Sequence, residues 1–247
     1  MESPIPSQIR VGFVGVGHLG KLLAMSLLRA GYAVTVTDLN RAGAESLLAA
    51  GALWADTPRA AAARSDCVIN CLPSPAAVSA CLEGVDGALA GLAPGGTWID
   101  MSTNDALEVR RIAALAAEKG IRTLECPVTG GVHTAAVGQI TGLVGGDEKV
   151  FKEHESMLAS MTHPVIYVGE LGKASTLKVI TNMLAFITQW AAGEALMLAK
   201  AADIDLGRAY EGIKHSSGTA GRSRSRPNSC STGVTTSSFR WISRART

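Results

Sequence analysis

A chain of 247 residues, 47% hydrophobic and 18% charged, can bury one large core or two small ones, which excludes an intrinsically disordered protein. Aromatic residues at 4% leave that core to aliphatic side chains. The net charge of +2 arises in residues 216–247, which hold six arginines and no acid; elsewhere 17 basic face 21 acidic residues, so the body carries no electrostatic footprint for nucleic acid.

IRVGFVG (9–15) is a short β-rich run ending in glycine, and residues 19–29 follow with helical periodicity, with Gly31 at a helix C-cap position. AVTVT (33–37) is the next expected strand, followed by a helix over 42–50 closed by Gly51. CVINCL (67–72) and TWIDM (97–101) read as buried strands, and a helix is expected over 106–119, ahead of Gly120. IRTLEC (121–126), ITGLV (140–144) and PVIYV (164–168) complete the strands, with Asp147 placed to cap the helix before the last of them. The alternation predicts an α/β domain over residues 1–168 built on a mostly parallel sheet.

At residue 173 the pattern changes to a single helix reaching residue 201, roughly 40 Å long at 1.5 Å per residue. It is apolar nearly all round, so protein is expected on every side of it. Asn182, Gln189 and Glu194 are costly in lipid and argue against a membrane span. A second, all-helical domain is therefore expected to begin with residues 169–218. The five cysteines are odd in number and form no CxxC, which predicts reduced thiols in the cytoplasm. MESPIPSQIR has no apolar core of a secretion signal, and no His/Cys cluster suggests a metal site.

GVGHLG supplies Gly15, Gly17 and Gly20 in a GxGxxG that follows a strand and opens a helix, and the next strand ends in Asp38, 23 residues after Gly15. That context is a dinucleotide fingerprint. Gly15 allows the tight turn, Gly17 lets backbone approach a pyrophosphate, and Gly20 lets the helix pack close to the strand. Asp38 can hold the ribose hydroxyls and repels a 2′-phosphate, which favours NAD over NADP, although Arg41 lies close enough to offset this in part.

Three loops and one helix carry further polar groups. CLPSPAAV (71–78) and DMSTND (100–105) each follow a strand, and the Ser102 and Thr103 hydroxyls suit either a ligand or a helix N-cap. ECPVTGG (125–131) sets Thr129 before Gly130 and Gly131, either as ligand-facing amides or as a tight turn. In KVITN, Lys178 and Asn182 share one helix face. The lysine either snorkels to solvent or faces a polar cleft, where desolvation lowers its pKa toward the range of a general acid or base.

In this order the motifs resemble those of the β-hydroxyacid dehydrogenase family, the group of 3-hydroxyisobutyrate dehydrogenase and tartronate semialdehyde reductase. The resemblance runs from about Val11 to Ser217 and includes LVGGD (143–147) and the Glu194–Ala195 pair. It implies a Rossmann domain followed by an all-helical domain, with the active site in the cleft between them, and a homo-oligomer. It makes Lys178 the proton donor to the substrate oxygen, with Asn182 orienting the substrate. Thr129, Gly130 and Gly131 become the substrate-carboxylate loop, with Ser102 beside them. Gly15, Gly17, His18, Leu19, Gly20, Asp38, Leu72, Pro73 and Thr103 become cofactor contacts.

The chain departs from the family pattern in places. Thr129 stands where serine is common, Thr181 precedes Asn182 where a second asparagine is common, and His133 occupies a usually small position that fits a surface helix residue or altered substrate choice. In the family, an SSG turn like that at 216–218 leads into further helices that close the cleft and form much of the oligomer interface. Residues 219–247 are Ser/Arg-rich without helical periodicity, so a frameshifted, truncated or disordered ending of an incomplete helical domain is expected. The primary expectation is hydride transfer between NAD, or NADP, and a small β-hydroxyacid or its semialdehyde. The alternative is a catalytically impaired NAD(P)-binding protein. A nucleic-acid role for the RSRSR tail is the least favoured expectation.

Overall fold

The computed structural model describes residues 9–216. Expectations for residues 217–247, including the arginine-rich ending, fall outside them. In chain order the elements are β1 (Arg10–Val14), α1 (Gly20–Arg29), β2 (Ala33–Thr37), α2 (Glu45–Ala49), β3 (Leu53–Trp54), α3 (Pro58–Ala62), β4 (Cys67–Asn70) and α4 (Pro75–Leu82). They continue with β5 (Thr97–Asp100), α5 (Ala106–Glu118), β6 (Arg122–Glu125), β7 (Val128–Thr129), α6 (Val132–Ala135), β8 (Thr141–Gly146), α7 (Glu148–Met161), β9 (Val165–Gly169), α8 (Lys173–Ala201) and α9 (Leu206–Lys214). The chain divides into two compact units, one through Val179 and the other from Ile180.

In the first unit the strand order is β3-β2-β1-β4-β5-β6-β8-β7, with β9 on β8. The run from β3 to β6 is parallel throughout. β8 lies antiparallel to β6 and β7, and β9 parallel to β8. The sheet is thus Rossmann-like and mostly parallel. The chain winds outward from β1 to β3, then crosses back to β4 on the other side of β1. A reversal of this kind opens a crevice at the carboxyl ends of the strands, where ligands bind in such sheets.

Period-two burial builds two cores, one on each face. Phe13, Ile69, Ile99 and Leu124 point to one face, where Leu23 and Leu27 of α1 meet them. Val68 and Trp98 point to the other, against Val78 of α4 and Ile112 of α5. Leu23 and Leu27 are four apart and both fully buried, as one helix stripe requires.

Several elements went unmarked by periodicity. α3 and α4 are short, and Pro58 and Pro75 start them behind the caps Thr57 and Ser74. β3 and β7 have two residues each and exist only because a neighbouring strand pairs with them. The long helix has the expected bounds, but its apolar girth is not covered. Phe186, Trp190 and Leu198 remain about 70% exposed among the described residues. The boundary between the units falls at Val179, because the first turns of α8 belong to the compact unit that holds the sheet. No helix of the described residues is long and apolar enough to cross a membrane.

Candidate active site

The glycine turn sits at the carboxyl end of β1. Gly15 has a φ of +87°, its N–H donates to the Thr37 carbonyl, and a Cβ there would stand 2.6 Å from the Cys71 carbonyl oxygen. A Cβ on Gly20 would stand 2.0 Å from the Gly15 carbonyl oxygen, so the helix approaches the turn as closely as its backbone permits. At Gly17 a Cβ would meet nothing within 4 Å, which leaves open space in front of that backbone.

The start of α1 differs electrically from most other helix starts. Side chains of Thr57, Ser74, Asp105, Asp147 and Asp205 cap α3, α4, α5, α7 and α9. At α1 the cap position is Leu19, no side chain accepts from the first amides, and the first turn has no acid. Its positive end is left available to an anion, with open backbone at Gly17 beside it. A dinucleotide pyrophosphate fits this cradle. Asp38, expected at a ribose, has protein partners of its own. Its Oδ2 accepts from Val16 N (2.7 Å) and its Oδ1 from Asn40 N (2.9 Å), so the carboxylate ties the end of β2 to the glycine turn. Arg41 is held over the Trp54 ring, 5.4 Å from its centre.

A buried polar cluster joins β4 to β5. Asn70 Nδ2 donates to Asp100 Oδ1 (2.7 Å) and to Ser102 Oγ (2.8 Å), while Trp98 Nε1 donates to Asn70 Oδ1 (2.6 Å). Asn104 Nδ2 donates to Asp100 Oδ2 (2.8 Å), and Leu72 N donates to Ser102 Oγ (2.9 Å). Burial raises the Asp100 pKa, and the surrounding hydrogen bonds oppose that rise. Ser102 is only 2% exposed, and its oxygen already accepts twice. Its visible work is to pin the Leu72–Pro73 loop. Thr103, by contrast, is exposed.

The Thr129-Gly130-Gly131 turn connects β7 to α6. Thr129 pairs with Thr141 across the sheet, and the two glycines have φ of +139° and +95°. A Cβ on Gly130 would lie 2.6 Å from Thr134 Oγ1, which itself donates to the Gly131 carbonyl (2.8 Å). Only glycine suits this turn sterically.

Lys178 comes from the second turn of α8 and is 9% exposed. Burial lowers its pKa from the ordinary 10.5. A cavity of about 280 Å³ brings it together with Leu19, Leu72, Pro73, Thr103 and Gly131, and Ser102 borders it too. The remaining expected contacts, Gly15, Gly17, His18, Gly20, Asp38, Thr129 and Gly130, do not line this cavity. Asn182 lies one turn beyond Lys178, in the second unit. The cavity also takes Cys71, Val132 and Ile140, which the motif reading left out. They lie at the edges of the quoted stretches, where apolar residues beside a loop give no signal of whether they face a cavity or the core.

The sheet order and the uncapped glycine turn define a dinucleotide-binding protein of Rossmann type. Residues 10–169 match the family model described as the NAD binding domain of 6-phosphogluconate dehydrogenase. Residues 172–242 match that described as NAD-binding of NADP-dependent 3-hydroxyisobutyrate dehydrogenase, a match that continues past Gly218, where the quoted motifs stop. The NAD-dependent L-serine dehydrogenase of Pseudomonas aeruginosa is 34% identical over 209 residues, 85% of this chain and 70% of that protein. The 2-(hydroxymethyl)glutarate dehydrogenase of Eubacterium barkeri is 33% identical over 190 residues, 77% of this chain and 63% of that protein. The solved structure of Mycobacterium tuberculosis 3-hydroxyisobutyrate dehydrogenase with L-serine matches with a TM-score of 0.79 at 28% identity, covering 94% of this chain and 79% of that one. The chain belongs to the β-hydroxyacid dehydrogenase family, and it spans between 63% and 70% of the length of the two curated relatives named here.

Proposed function

We propose that this chain binds NAD in preference to NADP and interconverts a small β-hydroxyacid and its semialdehyde, with Lys178 as general acid and base. The observation that carries this is the cavity in which a buried lysine faces the Leu72–Pro73 loop, Thr103 and Gly131, beside an uncapped glycine turn. The bound nicotinamide would supply or accept the hydride. Gly17 and the start of α1 would hold the pyrophosphate, and Asp38 the adenosine ribose.

In the reductive direction the Lys178 ammonium lies against the carbonyl oxygen, stabilises the developing alkoxide and releases a proton to it. In the oxidative direction the neutral amine takes the hydroxyl proton. Gly131, at the cavity wall, would bind the substrate carboxylate through its backbone amide, and Thr129 and Gly130, outside that lining, would complete the carboxylate loop as the substrate settles against it. Asn182 orients the substrate oxygen, as its place one turn after Lys178 suggests. Apolar Val132 and Ile140 support this reading by limiting water around the reacting carbon. The thiols Cys67, Cys71, Cys81 and Cys126 are free, which supports a cytoplasmic setting.

The test pairs a dinucleotide titration with turnover of 3-hydroxyisobutyrate, L-serine and 2-(hydroxymethyl)glutarate. NAD is expected to bind, and at least one of the three to be oxidised. Lys178→Ala is expected to keep the NAD affinity within threefold and to lower kcat by at least about 10²-fold, the lower end for a positioned acid–base group. Binding without turnover of any β-hydroxyacid favours a cofactor-binding protein without catalysis, and turnover that survives Lys178→Ala sinks the assignment of the lysine.

A further inference from the structure

The start of α8 is held by a residue that is remote in sequence. Glu125, at the end of β6, is fully buried. Its Oε1 accepts from Gly172 N (2.6 Å) and Ala174 N (2.9 Å), and its Oε2 accepts from Ser175 N (3.1 Å) and from the Ser175 hydroxyl. One carboxylate thus takes up three backbone amides at the head of the helix, together with a side chain in its first turn. A helix of this length would ordinarily be capped by the residue just before it. Here the cap is supplied from the sheet, 47 to 50 residues upstream.

The surroundings are shaped to admit that carboxylate. A Cβ on Gly145 of β8 would stand 2.3 Å from Glu125 Oε1, so glycine is what leaves room for the side chain. Gly172 has a φ of +89°, and a Cβ there would lie 2.6 Å from the Arg110 guanidinium, whose Nε donates to the Leu171 carbonyl (3.1 Å). Two glycines and an arginine therefore set the entry of the chain into α8, and Glu125 fixes the axial position of its first turn. Lys178 follows Ser175 by three residues, so whatever holds Ser175 also sets the height and rotation at which the lysine leaves the helix.

We infer that Glu125 is a positioning residue for Lys178: the buried carboxylate locks the first turn of α8 to the end of β6 and thereby holds the lysine in the cavity. The inference rests on the proposed role of Lys178 for its catalytic meaning, but not for its geometry. Displacements near 1 Å at a reacting group cost about 10²-fold in rate, so loss of the lock is read in kcat and not in cofactor affinity.

The experiment uses the full chain with Glu125→Gln, Ser175→Ala and Gly145→Ala. In Glu125→Gln the amide replaces one acceptor and leaves the Ser175 amide facing a donor. Ser175→Ala removes one hydrogen bond, and Gly145→Ala pushes the carboxylate aside from the opposite wall. Two quantities are measured. One is the acetylation rate of Lys178 by trace acetic anhydride, normalised to exposed Lys149 and read by peptide mass spectrometry. The other is kcat for whichever of the three hydroxyacids turns over, beside the Kd for NAD.

In variants that melt cooperatively, Lys178 is expected to acetylate at least threefold faster, with kcat down about 10-fold to 10²-fold and the NAD Kd within threefold. Ser175→Ala gives the smallest change and decides the matter if Glu125→Gln does not fold. A folded variant whose Lys178 labels at the wild-type rate overturns the inference. The labelling depends on where the ammonium sits and not on whether it transfers a proton. A Lys178→Ala enzyme that still turns over would therefore refute the acid–base role and leave this result intact.

Discussion

Burial moves the titration of Lys178 in the direction that the proposed proton transfer requires. Its pKa is lowered from 10.5 by desolvation, so the neutral amine is reached at a lower pH than in an exposed lysine. Under the proposed role, aldehyde reduction uses the ammonium and should fall as pH rises through that depressed value. Alcohol oxidation needs the amine and should rise through the same value. Initial rates in both directions across pH 6 to about pH 11, beyond the unperturbed lysine value, would test this, and limbs that fail to share one pKa would count against a single group. The stability sign follows from the same shift. A cation with a depressed folded pKa adds stability above the unfolded value, and this is lost as pH falls through the folded one. Ser102 presents the complementary case. Its hydroxyl accepts from both Leu72 N and Asn70 Nδ2, so Ser102→Ala removes the acceptor of the half-buried Leu72 N–H and leaves the buried Asn70 amide with only its bond to Asp100. A loss of about 1–3 kcal/mol in urea unfolding is expected, the range for an orphaned buried group.

At the scale of the element, the three glycines between β1 and α1 have separable duties. Gly20→Ala places a Cβ 2.0 Å from backbone and should destabilise the fold by more than about 2 kcal/mol, since an atom that close to backbone cannot be relieved by side-chain motion. Gly17→Ala meets nothing within 4 Å and should melt within about 2 °C of wild type, because helix propensity is not at stake in that turn. Its methyl group instead occupies the path of an approaching pyrophosphate, and NAD affinity should drop at least 10-fold by isothermal titration. Equal effects of the two substitutions would contradict this division. The turn was legible in the sequence because its steric demands are local: a strand, a glycine spacing and a helix start within eleven residues. The short α4 and β7 were not legible, because Pro75 and Ser74 read equally well as loop, and two residues of strand carry no period.

For the whole molecule, the strand order reverses between the parallel strands β1 and β4, and both the glycine turn and the Leu72–Pro73 loop stand at that switch point. Binding there should stabilise the fold by mass action. NAD at a hundred times its Kd should add about 2.7 kcal/mol. With Asp38 as the proposed ribose contact and Arg41 turned onto Trp54, the thermal shift with NAD should exceed that with NADP at equal concentration. An equal or larger shift with NADP would mean that Arg41 leaves Trp54 to meet the 2′-phosphate. The exposed Phe186, Trp190 and Leu198 of α8 belong to this scale as well, since an apolar helix surface of that kind ordinarily lies against protein.

By itself the sequence determined what short-range physics dictates. The strand and helix alternation, the GxGxxG turn, the Asp147 cap, the bounds of α8 and the family all follow from periodicity and from motifs spanning a few residues. Tertiary structure decided which polar groups remain available. Ser102 is taken up by Asn70 and Leu72, whereas Asp38 accepts one bond per oxygen, from Val16 and Asn40, and keeps acceptor capacity on both. Glu125, which sits in an ordinary strand run, becomes the cap of a helix 47 residues downstream. Hydrogen-bond partners that far apart leave no spacing pattern, because the distance between them is set by how the sheet is ordered and not by the chain between them.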